Sequence, residues 1–173
     1  NNDAYINNIF DENGAGVAVM FTKHVVMYSN TFQNSTGDAS YGIMLKEISD
    51  AEIRGNRFIN NTSALFLEGA NRILIHKNVF KGNGYSLKIQ ANCMDNEVYQ
   101  NNFINNTFDV STNGSLVLNT FNHNYWDKYE GYDLDKDGLG DIPFHPLSLY
   151  SVIIENNPIA MLLFRSFMVT LLE

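Results

Sequence analysis

The stretch NRFINNTSALFLEGANRILIHKNVF, residues 56–80, decides the fold. It opens and closes on the same tripeptide, N-x-F, as Asn56-Arg57-Phe58 and Asn78-Val79-Phe80. Earlier copies stand at Asn8-Ile9-Phe10 and Asn30-Thr31-Phe32, and a later one at Asn101-Asn102-Phe103. An aromatic variant, Asn124-Tyr125-Trp126, closes the series. The intervals between these asparagines are 22, 26, 22, 23 and 23 residues. A period of this length marks a solenoid, in which no repeat buries its apolar face alone.

Between successive tripeptides lie two short segments that alternate in polarity. The first reads Gly16-Val17-Ala18-Val19, Gly42-Ile43-Met44-Leu45, Ala64-Leu65-Phe66-Leu67 and Ser86-Leu87-Lys88-Ile89, with the second and fourth residues inward. The second segment precedes each asparagine and turns Met27, Ile53, Ile75, Val98 and Phe121 inward. The Phe or Trp of each tripeptide adds a third inward layer. Three short strands per repeat, joined by tight turns, predict an all-β solenoid: a right-handed parallel β-helix with coils about 4.8 Å apart. A leucine-rich repeat would need a helical stretch in each period, and none lies between these strands. The asparagine column is expected to occupy a turn, tolerate left-handed backbone and form an amide ladder along the axis.

Apolar residues make up 45% of the 173 and charged residues 17%, enough for a core and against disorder. A net charge of −8 excludes a sequence-independent grip on nucleic acid. The one cysteine, Cys93, excludes an intrachain disulfide. All three prolines, Pro143, Pro146 and Pro158, fall late, so the chain divides into coils over 1–126, an acidic Asp/Gly loop and extended connection over 127–150, and a helical cap or anchor over 151–173. Because the chain opens inside a repeat, it reads as an N-terminally truncated solenoid.

Side chains on the outer faces decide what a β-helix binds. The first outward column holds Ala18, Met44, Phe66 and Lys88. Met44 and Phe66 read either as a protein contact or as packing beneath a loop. The second column holds Tyr28, Arg54, His76 and Tyr99, beside Val26, Glu52, Leu74 and Glu97. A polysaccharide lyase or epimerase would need clustered carboxylates and a base on one such face. The second column is the better glycan candidate, and solvated stacking between coils accounts for it equally.

After Trp126 the period stops. Asp133, Asp135, Asp137 and Asp141 stand at positions 1, 3, 5 and 9 of a loop with Gly138 at 6, the first part of a calcium loop. The carbonyl of Leu139 would complete the arc, while position 12 is Phe144 rather than glutamate. The other reading is an Asp/Gly turn whose carboxylates bond their own backbone. For copper the sequence offers only His123 and His145 as a weak pair, without the clustered His, Cys or Met that soft metals favour.

The last segment begins SVIIENNPIAMLLF. Asn157 and Pro158 form a helix start, with a helix expected from about Ile159 to Leu172. It is apolar on nearly every side yet shorter than the about 20 residues a membrane span requires. Pro158, Leu162, Leu163, Phe164, Phe167, Met168 and Leu171 are candidate partner contacts. The surplus of apolar surface favours capping plus a membrane-protein contact over capping alone.

The stretch NYWDKYEGYDLDKDGLGDIPFHP, with the N-P and L-L-x-R-S elements after it, closely resembles the C-terminal part of the NosD family of nitrous oxide reductase maturation proteins. The N-x-F coils are similar to that family's β-helix repeats. The resemblance implies a periplasmic, non-catalytic component that works with an ABC transporter permease and ATPase. It also implies a copper chaperone and nitrous oxide reductase as further partners, transient copper, and membrane contact through the C-terminal helix. It carries no catalytic residue onto this sequence and no defined copper ligand set.

Overall fold

In the computed structural model, which describes residues 2–116, 118–157 and 159–160, the coils stack as the period requires. The N-x-F strands, Ile9–Asp11, Thr31–Gln33, Arg57–Ile59, Val79–Lys81, Asn102–Ile104 and Tyr125–Trp126, form one parallel six-stranded sheet. Their register aligns Phe10, Phe32, Phe58, Phe80, Phe103 and Trp126 in a single inward column. Successive rings stack at centroid separations of 4.8, 5.2, 4.7, 4.9 and 4.1 Å. The strand spacing imposes this repeat, and each buried ring adds about 1.5–3 kcal/mol of transfer energy.

The other two faces carry the aliphatic layers. Val17/Val19, Ile43/Leu45, Leu65/Leu67 and Leu87/Ile89 are buried, as are Met27, Ile53, Ile75 and Val98, while Phe121 is only partly covered. The strand Tyr41–Arg54 runs unbroken through the corner between these faces and joins them into one ten-stranded sheet, so three faces form two hydrogen-bonded sheets. The four extra residues of the 26-residue interval are absorbed in a turn before Tyr41, where Ser40 N–H donates to Gly37 at 3.3 Å. Register then resumes with Ala15, Tyr41 and Ser63 in line.

The asparagine column forms the expected ladder. Asn78 Nδ2 donates backward to the Ile53 carbonyl at 2.8 Å and forward to Asn101 Oδ1 at 3.0 Å, while its Oδ1 accepts from Asn56 N–H at 2.9 Å. Its conformation corrects the expectation. The left-handed residues are those just before it, namely Asn7, Ser29, Gly55, Lys77, Gln100 and His123. The preceding residue turns the corner, which frees the asparagine side chain to lie along the axis. A second ladder runs through Asn61, Asn83 and Asn106. Each stands five residues after a column asparagine, a spacing visible in the sequence that the N-x-F reading missed.

Past the coils the chain closes the end of the stack. Phe144 lies on Trp126 at 5.1 Å and edge-on to Tyr129. Gly131 and Gly140 flank Tyr129, and a Cβ at either would collide with its ring. A helix, α1 (Leu149–Asn156), then packs Tyr150 and Ile154 against Phe108. Ser148 caps it by accepting from Ser151 N–H at 3.0 Å. Glu155 binds it down, paired with Lys88 at 2.7 Å and accepting from Ser111 Oγ at 2.9 Å. Helix therefore begins inside the segment read as an extended connection. Asn157 ends α1, and its carbonyl accepts from Ala160 N–H at 2.9 Å.

Asp109, with its side chain 2% exposed, is held by Lys128 at 3.1 Å and by Asn106. Burial pushes its carboxyl above the ordinary value of 3.8 despite that cation. The folded state therefore binds this proton more tightly than the unfolded chain, so this group's contribution improves as pH falls toward 3.8. Asp11, hydrogen-bonded by Gln33 and Asn34, and Asp50, held by Arg72, are lowered and slope the other way. Two measurements follow. In urea unfolding, Asn78→Ala should lose about 3 kcal/mol, because it orphans buried donors and an acceptor, whereas exposed Asn122→Ala should change stability by less than about 0.5 kcal/mol. Asp109→Asn shares the Asp11 and Asp50 slopes, so the stability difference between wild type and variant should shift toward wild type as pH drops below neutral. A flat difference would contradict the raised carboxyl.

Candidate functional site

The break after Trp126 builds the acidic turn from backbone inward. Gly138, at φ +87, and Lys136, at φ +61, reverse the chain and bring one carboxylate oxygen each of Asp133, Asp135 and Asp137 within 4.8 Å of one another. All three residues are exposed. Their other role is local. Asp133 accepts from Gly138 N–H at 3.0 Å, Asp135 from Asp137 N–H at 3.3 Å, and Asp137 from Leu139 N–H at 2.7 Å. Asp141, beside the trio, accepts from Leu134 N–H at 2.7 Å. The loop thus combines a cluster of hard oxygen atoms with a self-capped turn.

The two histidines do not share a site. His123 lines a cleft of about 690 Å³ over the terminal coil, with Phe121, Tyr125, Tyr132 and Asp133. His145 lines a second cleft with Asp109, Lys128 and Glu130. Phe144, stacked on Trp126, lines both clefts, and neither histidine lines the other's. Cys93 is buried, and burial raises its thiol pKa, which disfavours the thiolate a soft metal needs. Met27 is buried in the core, and the exposed Met20 and Met94 stand on separate coils. Among the described residues, the one converging trio of ligand side chains is all carboxylate. A trio of carboxylates offers none of the thiolate or thioether donors that select soft Cu(I), so these residues do not fit copper in that state.

The outward columns vary in burial. Met44 and Phe66 are half-buried, with Phe66 tilted against Tyr41 at 5.2 Å. Arg54 lies over the Tyr28 ring at 4.2 Å, and His76 stacks on Tyr99 at 4.7 Å. Glu52 gathers both, 2.9 Å from His76 Nε2 and 3.4 Å from Arg54 Nε. His76 is 8% exposed, and its Nδ1 is buried without a partner. One ring nitrogen is engaged and the other is out of a substrate's reach, so this His–Glu pair is poorly placed as an acid–base dyad. The column is a stack between coils, held by cation–π contact, ring stacking and one shared carboxylate.

Of the C-terminal contacts read from sequence, Pro158, Leu162, Leu163, Phe164, Phe167, Met168 and Leu171 lie outside the described residues. No helix among the described residues is long and apolar enough to cross a membrane. Sequence reasoning missed the Lys88–Glu155 and Asp109–Lys128 pairs. Each links residues 67 or 19 positions apart, and no periodic signal marks them.

Residues 1–131 match the family model described as "Periplasmic copper-binding protein (NosD)". A relative from Pseudomonas aeruginosa, named "Probable ABC transporter binding protein NosD", is 29% identical over 133 residues, covering 67% of this chain and 31% of its own length. One of the same name from Stutzerimonas stutzeri is 28% identical over 135 residues, with the same shares. The chain therefore spans about a third of the curated relatives it matches. With the coils and the whole aromatic column inside the matched region, the chain belongs to the NosD family.

Proposed function

We propose that this chain is part of a periplasmic accessory scaffold that works with an ABC transporter and supports copper-site assembly in nitrous oxide reductase. It would dock the permease, with its ATPase, and present a rigid face to a copper chaperone and the reductase. The family match across the coils carries this reading. Copper enters it as cargo, since the described side chains assemble no soft-ligand set. What weighs against a polysaccharide lyase or epimerase is the state of the better glycan-candidate column, where the His76 ring nitrogens are respectively bonded and buried.

The apolar segment 161–173 is the proposed seat on the permease, with contact to the bilayer through it. Co-expression with a tagged permease and ATPase tests this. Deleting 161–173 spares α1, Glu155 and the Tyr150–Ala160 hydrogen bond. Co-purification should be lost while the thermal melt of the coils is retained; undiminished co-purification would remove the docking assignment.

The acidic turn is proposed as a Ca²⁺ seat built on Asp133, Asp135 and Asp137, with the Leu139 carbonyl and Asp141 completing it. The convergence of three carboxylate oxygens supports this. Added Ca²⁺ should raise the melting temperature by a few degrees, about 1 kcal/mol of linkage at several-fold excess over Kd. Chelator should reverse the rise, and Asp133→Asn/Asp137→Asn should abolish it. A melt indifferent to Ca²⁺ leaves only the self-capped turn.

A further inference from the structure

Each inner coil hands its hydrogen bonds to the next. The N–H of every column asparagine from Asn8 to Asn101 donates to the Oδ1 of its successor, at 2.9 to 3.0 Å. Asn124 has no successor, and among the described residues its N–H has no acceptor. The strands beside it are equally one-sided. Among the described residues, Thr120–Asn122 pairs only with Glu97–Tyr99, and Tyr125–Trp126 only with Asn102–Ile104. The two edges lie in different sheets, on either side of the left-handed corner at His123, and the Trp126 carbonyl already accepts from Tyr129 N–H at 3.1 Å, which leaves Thr120–Asn122 as the edge a further strand could extend.

That edge is not simply bare to solvent. It forms one wall of the 690 Å³ cleft, and the 131–144 loop stands off from it as the other. The rim exposes Tyr125, Tyr132, Leu139 and Ile142, and the acidic trio Asp133, Asp135 and Asp137 lies alongside. Strand pairing needs about 4.8 Å between backbones, a gap an extended chain fills and a helix does not. Native solenoids cover or charge such edges, and this one is instead rimmed with apolar side chains.

We infer that this cleft receives an extended segment of a partner protein as an added strand. The segment's backbone pairs with the Thr120–Asn122 edge, its apolar side chains rest on Tyr125 and Ile142, and its basic side chains face the acidic turn. The occupant is set by two complementarities on facing walls of one cleft: the outward main-chain groups of Thr120–Asn122, and the loop that carries Asp133, Asp135 and Asp137. An anion would be repelled by the carboxylates, and a glycan has no backbone to continue the sheet. The inference rests on the docking role proposed above, but it concerns a different surface from the 161–173 segment.

The test uses the full chain with a labelled short peptide of alternating lysine and valine, read by fluorescence anisotropy and amide hydrogen exchange. Two controls are the same peptide N-methylated at every second residue and a glutamate–valine counterpart. With chelator present, the lysine peptide should bind and slow exchange of the amides of the Thr120–Asn122 strand by about tenfold or more. The controls should fail, Ile142→Asp should weaken binding by about tenfold at unchanged melting temperature, and Asp133→Lys/Asp137→Lys should weaken it as much. Equal binding of the N-methylated peptide would reduce the contact to charge attraction and overturn the added strand. Protection elsewhere, no binding, or binding of uronate oligomers to the same edge in its place would do the same. Failure here with permease co-purification intact removes the strand and leaves the docking role; the reverse pattern removes the docking by 161–173 alone.

Discussion

The structure depends on the asparagine carboxamide as a three-coil connector. A column asparagine such as Asn78 reaches back to a carbonyl of the preceding coil, forward to the next carboxamide, and accepts from the backbone behind it. A short amide side chain is suited to this, because it carries two donors and an acceptor at one end. Buried in the corner, such a group is costly if any partner is missing. The ladder therefore enforces register: a coil one residue out of phase would orphan amides along the axis as well as turn its Phe outward.

Register in turn aligns everything else. Phenylalanines stack because the asparagine two residues earlier is locked, and the aliphatic faces close because the corners are. The 26-residue interval shows how strong the constraint is, since the extra residues leave by a turn and the ladder is unaffected. The outcome is a rod with little internal freedom and outward columns that knit coils together. Glu52, Arg54, His76 and Tyr28 serve one another rather than a substrate.

Chemistry that a ladder cannot absorb collects where the ladder stops. At the terminal coil the carboxamide has no successor, and three devices take over: Phe144 on the aromatic column, Lys128 on Asp109, and α1 clasped through Glu155. Among the described residues, two clefts, the acidic turn and the outer edge of Thr120–Asn122 remain there.

The sequence by itself determined the solenoid, its inward layers and the place where it ends. Period and alternation are local properties, and every coil repeats them, so each copy corroborates the others. The acidic turn was legible for the same reason, as a spacing of carboxylates around Gly138. Only the tertiary structure decided which residues turn the corners, that His76 is stacked under Tyr99, that His123 and His145 line separate clefts, and that a helix begins at Leu149 to reach Lys88 with Glu155. Those outcomes are single, non-repeating contacts between residues distant in the chain. Their energy comes from burial and pairing that exist once the coils have stacked, and no sequence period encodes them.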